Sequence, residues 1–149
     1  MPIGEICIRD VVILKPKDSI IDAAKLMRRY HVGDVVVVDD QDGKAQPIGI
    51  LTDRDIVVEL IAQEVPLNSV LVEDVMSREL LVVQENRGIL DSVQCMRTKG
   101  VRRIVVVNDH GSLVGVISID DLLELISQEM LDLMKVVTRQ QEREKETRT

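Results

Sequence analysis

Aromatic residues are almost absent from this sequence of 149 residues, which contains no Phe, no Trp and a single Tyr. Its hydrophobic residues make up 45% of the chain and are dominated by Val, Leu and Ile. We therefore expect an aliphatic core, and any site that holds a nucleobase must use aliphatic walls in place of aromatic stacking.

Cysteines and long apolar runs are also scarce. The two cysteines, Cys7 and Cys95, lack metal-ligand spacing, and the N-terminus lacks a signal-peptide pattern, so we expect reduced thiols in a soluble, cytoplasmic protein. The longest apolar runs span only a few residues, far below the roughly 20 that a membrane-spanning helix requires.

The charge balance is acidic, with a formal net charge of −7. Because nucleic-acid binding relies on basic surfaces that neutralise phosphates, this balance argues against a nucleic-acid partner. A small anionic ligand would need local cations. The length also excludes an eight-stranded α/β barrel, which needs roughly 250 residues.

An internal repeat dominates the sequence: the segment GILTDRD, which begins at Gly49, recurs as GVISIDD from Gly115. Each copy follows a valine-rich run, and in each a hydroxyl residue ends a short strand three positions before an aspartate. We expect a helix to begin there, so that its free N–H groups and dipole favour oxygen-rich ligands. The four polar residues are Thr52 and Asp55 in the first copy and Ser118 and Asp121 in the second.

The first copy lies at the end of a predicted α/β unit. Ser19 followed by Asp22 resembles a capping box and predicts a helix start. The apolar residues 35–38 predict a strand buried on both faces. The polar residues 39–47 predict a hairpin loop, residues 48–52 its second strand, and residues 54–63 a helix. Residues 64–69 read as a linker.

The second repeat is predicted to contain the same elements in the same order. Asn86 lies near the expected helix cap, Ile89, Val93 and Met96 on the inner face, and Gly100 at the helix end, where glycine adopts left-handed geometry at little cost. Residues 104–107 and 113–118 predict the second strand pair.

A helical pattern continues beyond the second repeat. Its apolar residues alternate at spacings of three and four, which is a short heptad seam that either packs on its own domain or contacts a second copy. Residues 140–149 are almost entirely polar, and we expect them to be frayed or disordered. The seam consists of Leu123, Ile126, Met130, Leu133 and Val137.

Two βαββα units in this order, each ending in a glycine, two apolar residues, a hydroxyl residue and a later aspartate, resemble tandem CBS domains, the cystathionine-β-synthase-type regulatory repeats. The resemblance implies an α+β fold in which repeats 1–65 and 66–127 pack with pseudo-two-fold symmetry into one Bateman module. A C-terminal helix and charged tail, 128–149, follow. It also implies two clefts for adenosine-containing ligands such as AMP, ADP, ATP, NAD or S-adenosylmethionine.

The resemblance assigns roles to the repeated polar residues. Asp55 and Asp121 match the aspartate that accepts hydrogen bonds from the ribose hydroxyls, and Thr52 and Ser118 match the hydroxyl residue near ribose and phosphate. Helix capping is the alternative, because Thr, Ser and Asp cap helices in any protein.

Strand residues form the base pockets in this family. The matching positions here are aliphatic or sulfur-containing, and they would look identical in an ordinary core. They are Cys7, Val12 and Val32 for the cleft of Asp121, and Met76, Leu81 and Val101 for the cleft of Asp55.

Charge distinguishes the two clefts. We expect Arg102 and Arg103 to bind phosphate in the Asp121 cleft, which makes that cleft the favoured adenine-nucleotide site. The first repeat has Asp34 at the matching position, which would repel a phosphate, although His31 and Arg54 compensate in part. The alternative is that the two arginines are exposed and pair with surface acids.

The predicted function is signal transduction by a nucleotide-regulated homodimer that acts on an effector protein which the sequence does not identify. ATP would bring Mg²⁺, to which Asp53 with Asp55, or Asp120 with Asp121, could add ligands. The competing hypothesis is a ligand-independent dimeric interaction module. We expect no catalysis, because His31, His110 and Cys95 form no recognisable nucleophile or metal constellation. We expect neither nucleic acid nor a membrane to be a partner of this protein.

Overall fold

The computed structural model describes residues 1–148 and divides the chain into two compact units. The first spans Met1–Ile117 and contains both sheets. The second begins at Ser118 and consists of one long helix.

The first repeat builds a three-stranded sheet in the order β1-β2-β3, with β1 parallel and β3 antiparallel to β2. Its elements are β1 (Ile13–Leu14), α1 (Ile20–Tyr30), β2 (Asp34–Gln41), β3 (Lys44–Thr52) and α2 (Asp53–Asp55), which continues as a π-helical stretch over Ile56–Ile61.

The start of α1 confirms the predicted cap, because the Ser19 side chain accepts a hydrogen bond from the backbone N–H of Asp22. The predicted hairpin loop 39–47 is wrong. Strand pairing continues through the polar residues, and only Asp42 and Gly43, with φ of 53° and 76°, form the turn. Two consecutive positive φ values suit the tight turns that match strand twist, so a two-residue turn replaces the long loop.

The second repeat builds a matching sheet in the order β4-β5-β6, with β4 parallel to β5. Short 3₁₀ turns, Ile3–Glu5 and Leu67–Ser69, lead into the repeats. The elements of the second repeat are α3 (Val72–Val75), β4 (Val82–Gln84), α4 (Ile89–Lys99), β5 (Arg103–Val107) and β6 (Leu113–Ser118).

Helix α4 agrees with its prediction. Gly100 ends it in the left-handed region with φ of 65°, as expected, and its N-cap is Gly88, two residues after Asn86. Inside the helix, Ser92 is fully buried and its hydroxyl donates to the Gly88 carbonyl at 2.8 Å. This local hydrogen bond satisfies the hydroxyl, so a serine can occupy a core position.

Strand β2 is buried on both faces, as its valine run predicts. Val35 and Val37 pack in the first core cluster, which consists mainly of first-repeat residues together with Val72 and Met76 of the second repeat. Val36 and Val38 pack with Val105 of β5. The valine strands therefore join the two repeats through their sheets.

Helix α5 (Ile119–Thr147) is the second unit. The expectation of a frayed or disordered tail is wrong for the described residues, because the helix continues to Thr147. Ion pairs one turn apart, Arg139–Glu142 at 3.6 Å and Arg148–Glu144 at 3.3 Å, provide a physical reason. No helix within residues 1–148 is both long enough and apolar enough to cross a bilayer.

Candidate ligand site

In each copy of the repeated segment, the hydroxyl residue and the aspartate form a reciprocal capping box. Thr52 Oγ1 accepts from the Asp55 N–H at 3.0 Å, and Asp55 Oδ2 accepts from the Thr52 N–H at 2.9 Å. In α5, Ser118 and Asp121 make the same pair of bonds at 3.1 and 2.9 Å. Capping is thus their role in the folded chain. It uses Oδ2 of each aspartate, so a ligand role for the same carboxylates stays a prediction.

The glycines of the repeated segment lie where a segment of the other repeat crosses and forms an isolated β-bridge. Ile50 pairs with Ser77 through two backbone hydrogen bonds of 2.9 Å, and a Cβ on the preceding Gly49 would lie 2.5 Å from Met76 Sδ. Met76 thus contacts the segment that carries Thr52, although it also belongs to the first core cluster.

Gly115 repeats this arrangement. Val116 pairs with Ile8 through hydrogen bonds of 2.8 and 3.0 Å, and a Cβ on Gly115 would lie 2.6 Å from the Ile8 carbonyl oxygen and 2.7 Å from Cys7 Sγ. The equivalent contacts of Met76 and Cys7 reflect the pseudo-symmetry of the repeats. Only glycine leaves room for these crossings.

Cys7 is half-buried, and its thiol donates to the Gly4 carbonyl over 3.6 Å. Burial raises the pKa of this thiol, and the nearby Arg9 offsets only part of the effect. Cys7 is therefore a neutral thiol near neutral pH. Within residues 1–148, no group of three or more His, Cys, Asp or Glu side chains is placed to hold a metal ion.

An open cavity of about 180 Å³ lies in the first unit, where β3 of the first repeat meets the second repeat. Its walls are mainly aliphatic, and three charged residues also line it. The apolar lining residues are Ile50, Leu80, Leu81, Val101 and Val105, and the charged ones are Glu79, Arg102 and Arg103.

One ion pair ties this cavity to the end of β3. Arg103 Nε lies 2.5 Å from Asp34 Oδ2, and Asp34 is the register partner of Thr52. The side chains of Arg103 and Asp34 are 40% and 30% exposed, so the pair is accessible from solvent. Backbone pairing thus places the guanidinium near the strand end that carries the Thr52–Asp55 capping box.

The structure groups the predicted site residues differently from the sequence expectation. The sequence predicts Leu81 and Val101 for the Asp55 cleft and the two arginines for the Asp121 cleft. In the structure Leu81 and Val101 share one cavity with Arg102 and Arg103. Arg54 is exposed at the start of α2, and Val12 and Val32 pack against the first core cluster. The assignment of Asp121 as a ligand residue stays a prediction.

Sequence reasoning missed several residues that line or adjoin the cavity. Ile50 lies inside the repeated segment, directly after Gly49, and this position is a sequence signal that could have marked it as a lining residue. Glu79 and Leu80 precede β4 in a segment without a recognisable motif. The sequence predicts that Asp34 repels phosphate, whereas in the structure its carboxylate pairs with Arg103.

Comparison with known proteins agrees with this architecture. The family model named CBS domain matches residues 3–62 and 72–128. An uncharacterized protein of Methanopyrus kandleri is 34% identical over 123 residues, which are 83% of this chain. The chain spans 61% of the length of that relative. The CBS domain-containing protein YhcV of Bacillus subtilis is 36% identical over 75% of this chain and 76% of its own length.

A solved structure resembles most of this chain. The CBS domain protein PAE2072 from Pyrobaculum aerophilum, which was solved in complex with AMP, superposes with a TM-score of 0.71 at 28% identity. The match covers 85% of this chain and 99% of that one. The chain belongs to the CBS domain family and carries two tandem repeats.

Proposed function

We propose that this chain is a regulatory, non-catalytic CBS pair that binds an adenosine-containing ligand in the cavity lined by Ile50, Leu81, Val101 and the two arginines. AMP, ADP, ATP, NAD and S-adenosylmethionine are the candidate ligands. The observation that carries the proposal is the combination, in one cavity, of aliphatic walls that suit a flat base with guanidinium groups that suit phosphate.

The size of the cavity constrains how such a ligand lies. At about 180 Å³ it is smaller than the roughly 300 Å³ at which pockets begin to enclose a drug-sized molecule. We infer that it encloses the base, while ribose and phosphate lie at the open side near Arg103. Asp55 is the candidate acceptor for the ribose hydroxyls, because its capping bond uses only Oδ2.

The cavity is lined by residues of both repeats, and this arrangement provides a route for signalling. Ile50 belongs to the first repeat, whereas Leu81 and Val101 belong to the second, so a bound base contacts both repeats. A ligand shifts a conformational equilibrium only if it binds one arrangement better than the other. Contacts with both repeats provide this difference in affinity. A partner protein then recognises the resulting change in conformation.

Thermal shift measurements with AMP, ADP, ATP, NAD, S-adenosylmethionine and GMP test the proposal. A ligand at 100 times its dissociation constant stabilises the folded state by about 2.7 kcal/mol, which raises the Tm by roughly 5–11 °C for a chain of this size. We expect this shift with at least one adenosine compound and none with GMP.

Two valine variants provide a matched pair. Val101→Asp introduces a charge into the cavity and should abolish the shift. Val82→Asp changes a valine of the same repeat that is 43% exposed and does not line the cavity, so it should keep the shift. Equal shifts in both variants would contradict the assigned site.

We also propose that the exposed face of α5 joins two copies of the chain. The seam residues Leu123, Ile126, Met130, Leu133 and Val137 are 48–67% exposed. Residues 119–134 carry five acids and no base, whereas residues 135–148 carry five bases and three acids. Opposite charges therefore face each other when two helices pair antiparallel, an arrangement that opposed helix dipoles also favour.

Light scattering and cross-linking test this pairing. Leu133→Asp should convert a dimer into a monomer, whereas Leu90→Asp, at a leucine that is 82% exposed on α4, should leave the dimer intact. In an antiparallel pair Ile126 faces Val137 of the second copy. Mixed Ile126→Cys and Val137→Cys chains should then cross-link, and a wild-type monomer would refute the pairing. A dimer without any ligand shift would favour the interaction-module hypothesis.

A further inference from the structure

We propose that Asp34 sets the charge selectivity of the cavity by occupying Arg103 until a phosphate displaces it. This inference rests on the proposed binding of adenosine compounds. It assigns the preferred ligand class as adenosine compounds of low negative charge, with AMP preferred over ATP. Asp34 is thus a specificity-determining residue on the first repeat that acts on a cation of the second.

The geometry allows competition between Asp34 and a ligand. Asp34 Oδ2 lies 2.5 Å from Arg103 Nε, one of the five N–H donors of the guanidinium. Both side chains are partly exposed, at 30% and 40%, so an incoming anion can reach the guanidinium. Since Arg103 also lines the cavity, the group that Asp34 holds is one that a bound phosphate would contact.

The surrounding charges make displacement costly. Glu79 is the acid among the lining residues, and with Asp34 it balances the two arginines. The Asp53 carboxylate is also close in space to this pair, because its Oδ2 would lie 3.1 Å from a Cβ on Gly33, the residue before Asp34. A phosphate that takes the Nε–H of Arg103 must displace the Asp34 carboxylate, and one that binds the other guanidinium donors stays beside that carboxylate. The penalty increases with each further negative charge on the ligand.

A purely structural ion pair would behave differently. If Asp34 only joined the repeats, its removal would change the affinity for charged and uncharged ligands by the same factor. If it competes for Arg103, its removal improves binding in proportion to ligand charge. The dependence on ligand charge separates the two roles.

Isothermal titration calorimetry with adenosine, AMP and ATP at one fixed ionic strength tests the proposal. In the wild type we expect AMP to bind more tightly than ATP. Asp34→Asn should leave adenosine affinity within about twofold, raise AMP affinity a few-fold and raise ATP affinity roughly tenfold, since removing a partly exposed charge has effects of about this size. Urea unfolding of each variant confirms that it folds.

Two further variants are the controls. Asp40→Asn removes another carboxylate of β2, which pairs with Lys15 outside the cavity, and should not change the order of affinities. In an Arg103→Gln background, Asp34→Asn should no longer raise the affinity for ATP, because the increase depends on Arg103. The double variant Asp34→Asn/Arg103→Gln is therefore compared with Arg103→Gln.

The outcomes separate the inference from the function on which it rests. If the wild type binds adenosine compounds and Asp34→Asn leaves the ratio of AMP affinity to ATP affinity unchanged, the proposed role of Asp34 is wrong. The proposed ligand site is not affected by that result. A gain that persists in the double variant overturns it as well. A wild type that binds none of the three compounds overturns both proposals.

Discussion

The replacement Gly115→Ala probes the strand crossing that the pseudo-symmetry of the repeats requires. An added Cβ would lie 2.6 Å from the Ile8 carbonyl oxygen, whereas a carbon and an oxygen normally approach to about 3.3–3.6 Å. The Ile8 segment must therefore move by roughly 0.7–1 Å. That movement strains the two hydrogen bonds, of 2.8 and 3.0 Å, that join Ile8 to Val116.

Overpacking of this kind costs about 1–3 kcal/mol, and the weakened hydrogen bonds cost about 1 kcal/mol more. Replacing glycine at a compatible backbone conformation recovers about 0.4–1 kcal/mol by restricting the unfolded chain. We expect Gly115→Ala to lower the free energy of unfolding by roughly 1–3.6 kcal/mol. For a chain of this size that corresponds to a fall in Tm of roughly 2–14 °C.

Two glycine variants calibrate the measurement by urea and thermal unfolding. At Gly49 the closest atom is Sδ of the flexible Met76 side chain, and the nearest backbone atom is the Ser77 carbonyl oxygen at 3.0 Å. Because this backbone contact is looser than the 2.6 Å contact at Gly115, Gly49→Ala should cost less than Gly115→Ala. At Gly88 nothing lies closer than 4.0 Å, so Gly88→Ala should cost only the roughly 0.5–1 kcal/mol by which alanine caps a helix less well than glycine. A Gly115→Ala protein as stable as the wild type, or more stable than Gly49→Ala, would refute the reasoning.

Three further predictions concern titration and packing. Since burial raises the Cys7 pKa, the folded protein keeps the proton longer than the unfolded chain, so stability should fall as pH rises above about 9; iodoacetamide should also modify Cys7 more slowly in the folded protein than in urea. The hydrogen bond from Lys17 to Glu73 raises the Lys17 pKa, so its stabilising effect should persist below about pH 10.5 and disappear above it; Lys17→Met should remove this part of the pH profile of unfolding. Ile104→Ala removes a fully buried side chain and should cost about 2–5 kcal/mol in urea unfolding, and a smaller loss would mean that β5 packs loosely.

Much of the fold could be predicted from the sequence, because local signals and the internal repeat agreed. Ser19 and Gly100 mark helix ends by well-defined backbone chemistry. The valines of β2 predicted a strand buried on both faces, and the structure confirms this through Val35 on one face and Val36 on the other. Order and repetition identified the family where no single motif was sufficient.

Polar composition misled the prediction in two places. Residues 39–47 look like a loop, yet β-strand pairing tolerates polar side chains on an exposed hairpin, and only Asp42 and Gly43 turn. The tail also looks disordered by composition, yet Arg139 and Arg148 pair with glutamates along α5 and support its helix. In both cases pairing between neighbours outweighed low hydrophobicity.

The candidate site was harder to predict because it depends on which residues of the two repeats meet. The sequence predicts Leu81 and Val101 for one cleft and Arg103 for the other, whereas in the structure all three residues line one cavity. The ion pair with Asp34 and the contribution of Ile50 arise only after the repeats pack together. Such contacts between distant parts of the chain leave no periodic signal in the sequence.

The most direct test of the central claim is a crystal structure of the chain grown with AMP. The account predicts the adenine between Ile50 and the side chains of Leu81 and Val101, with the phosphate beside Arg103 and the ion pair from Asp34 broken. AMP bound at a different place in the chain, or a cavity without AMP at saturating concentration, would contradict it.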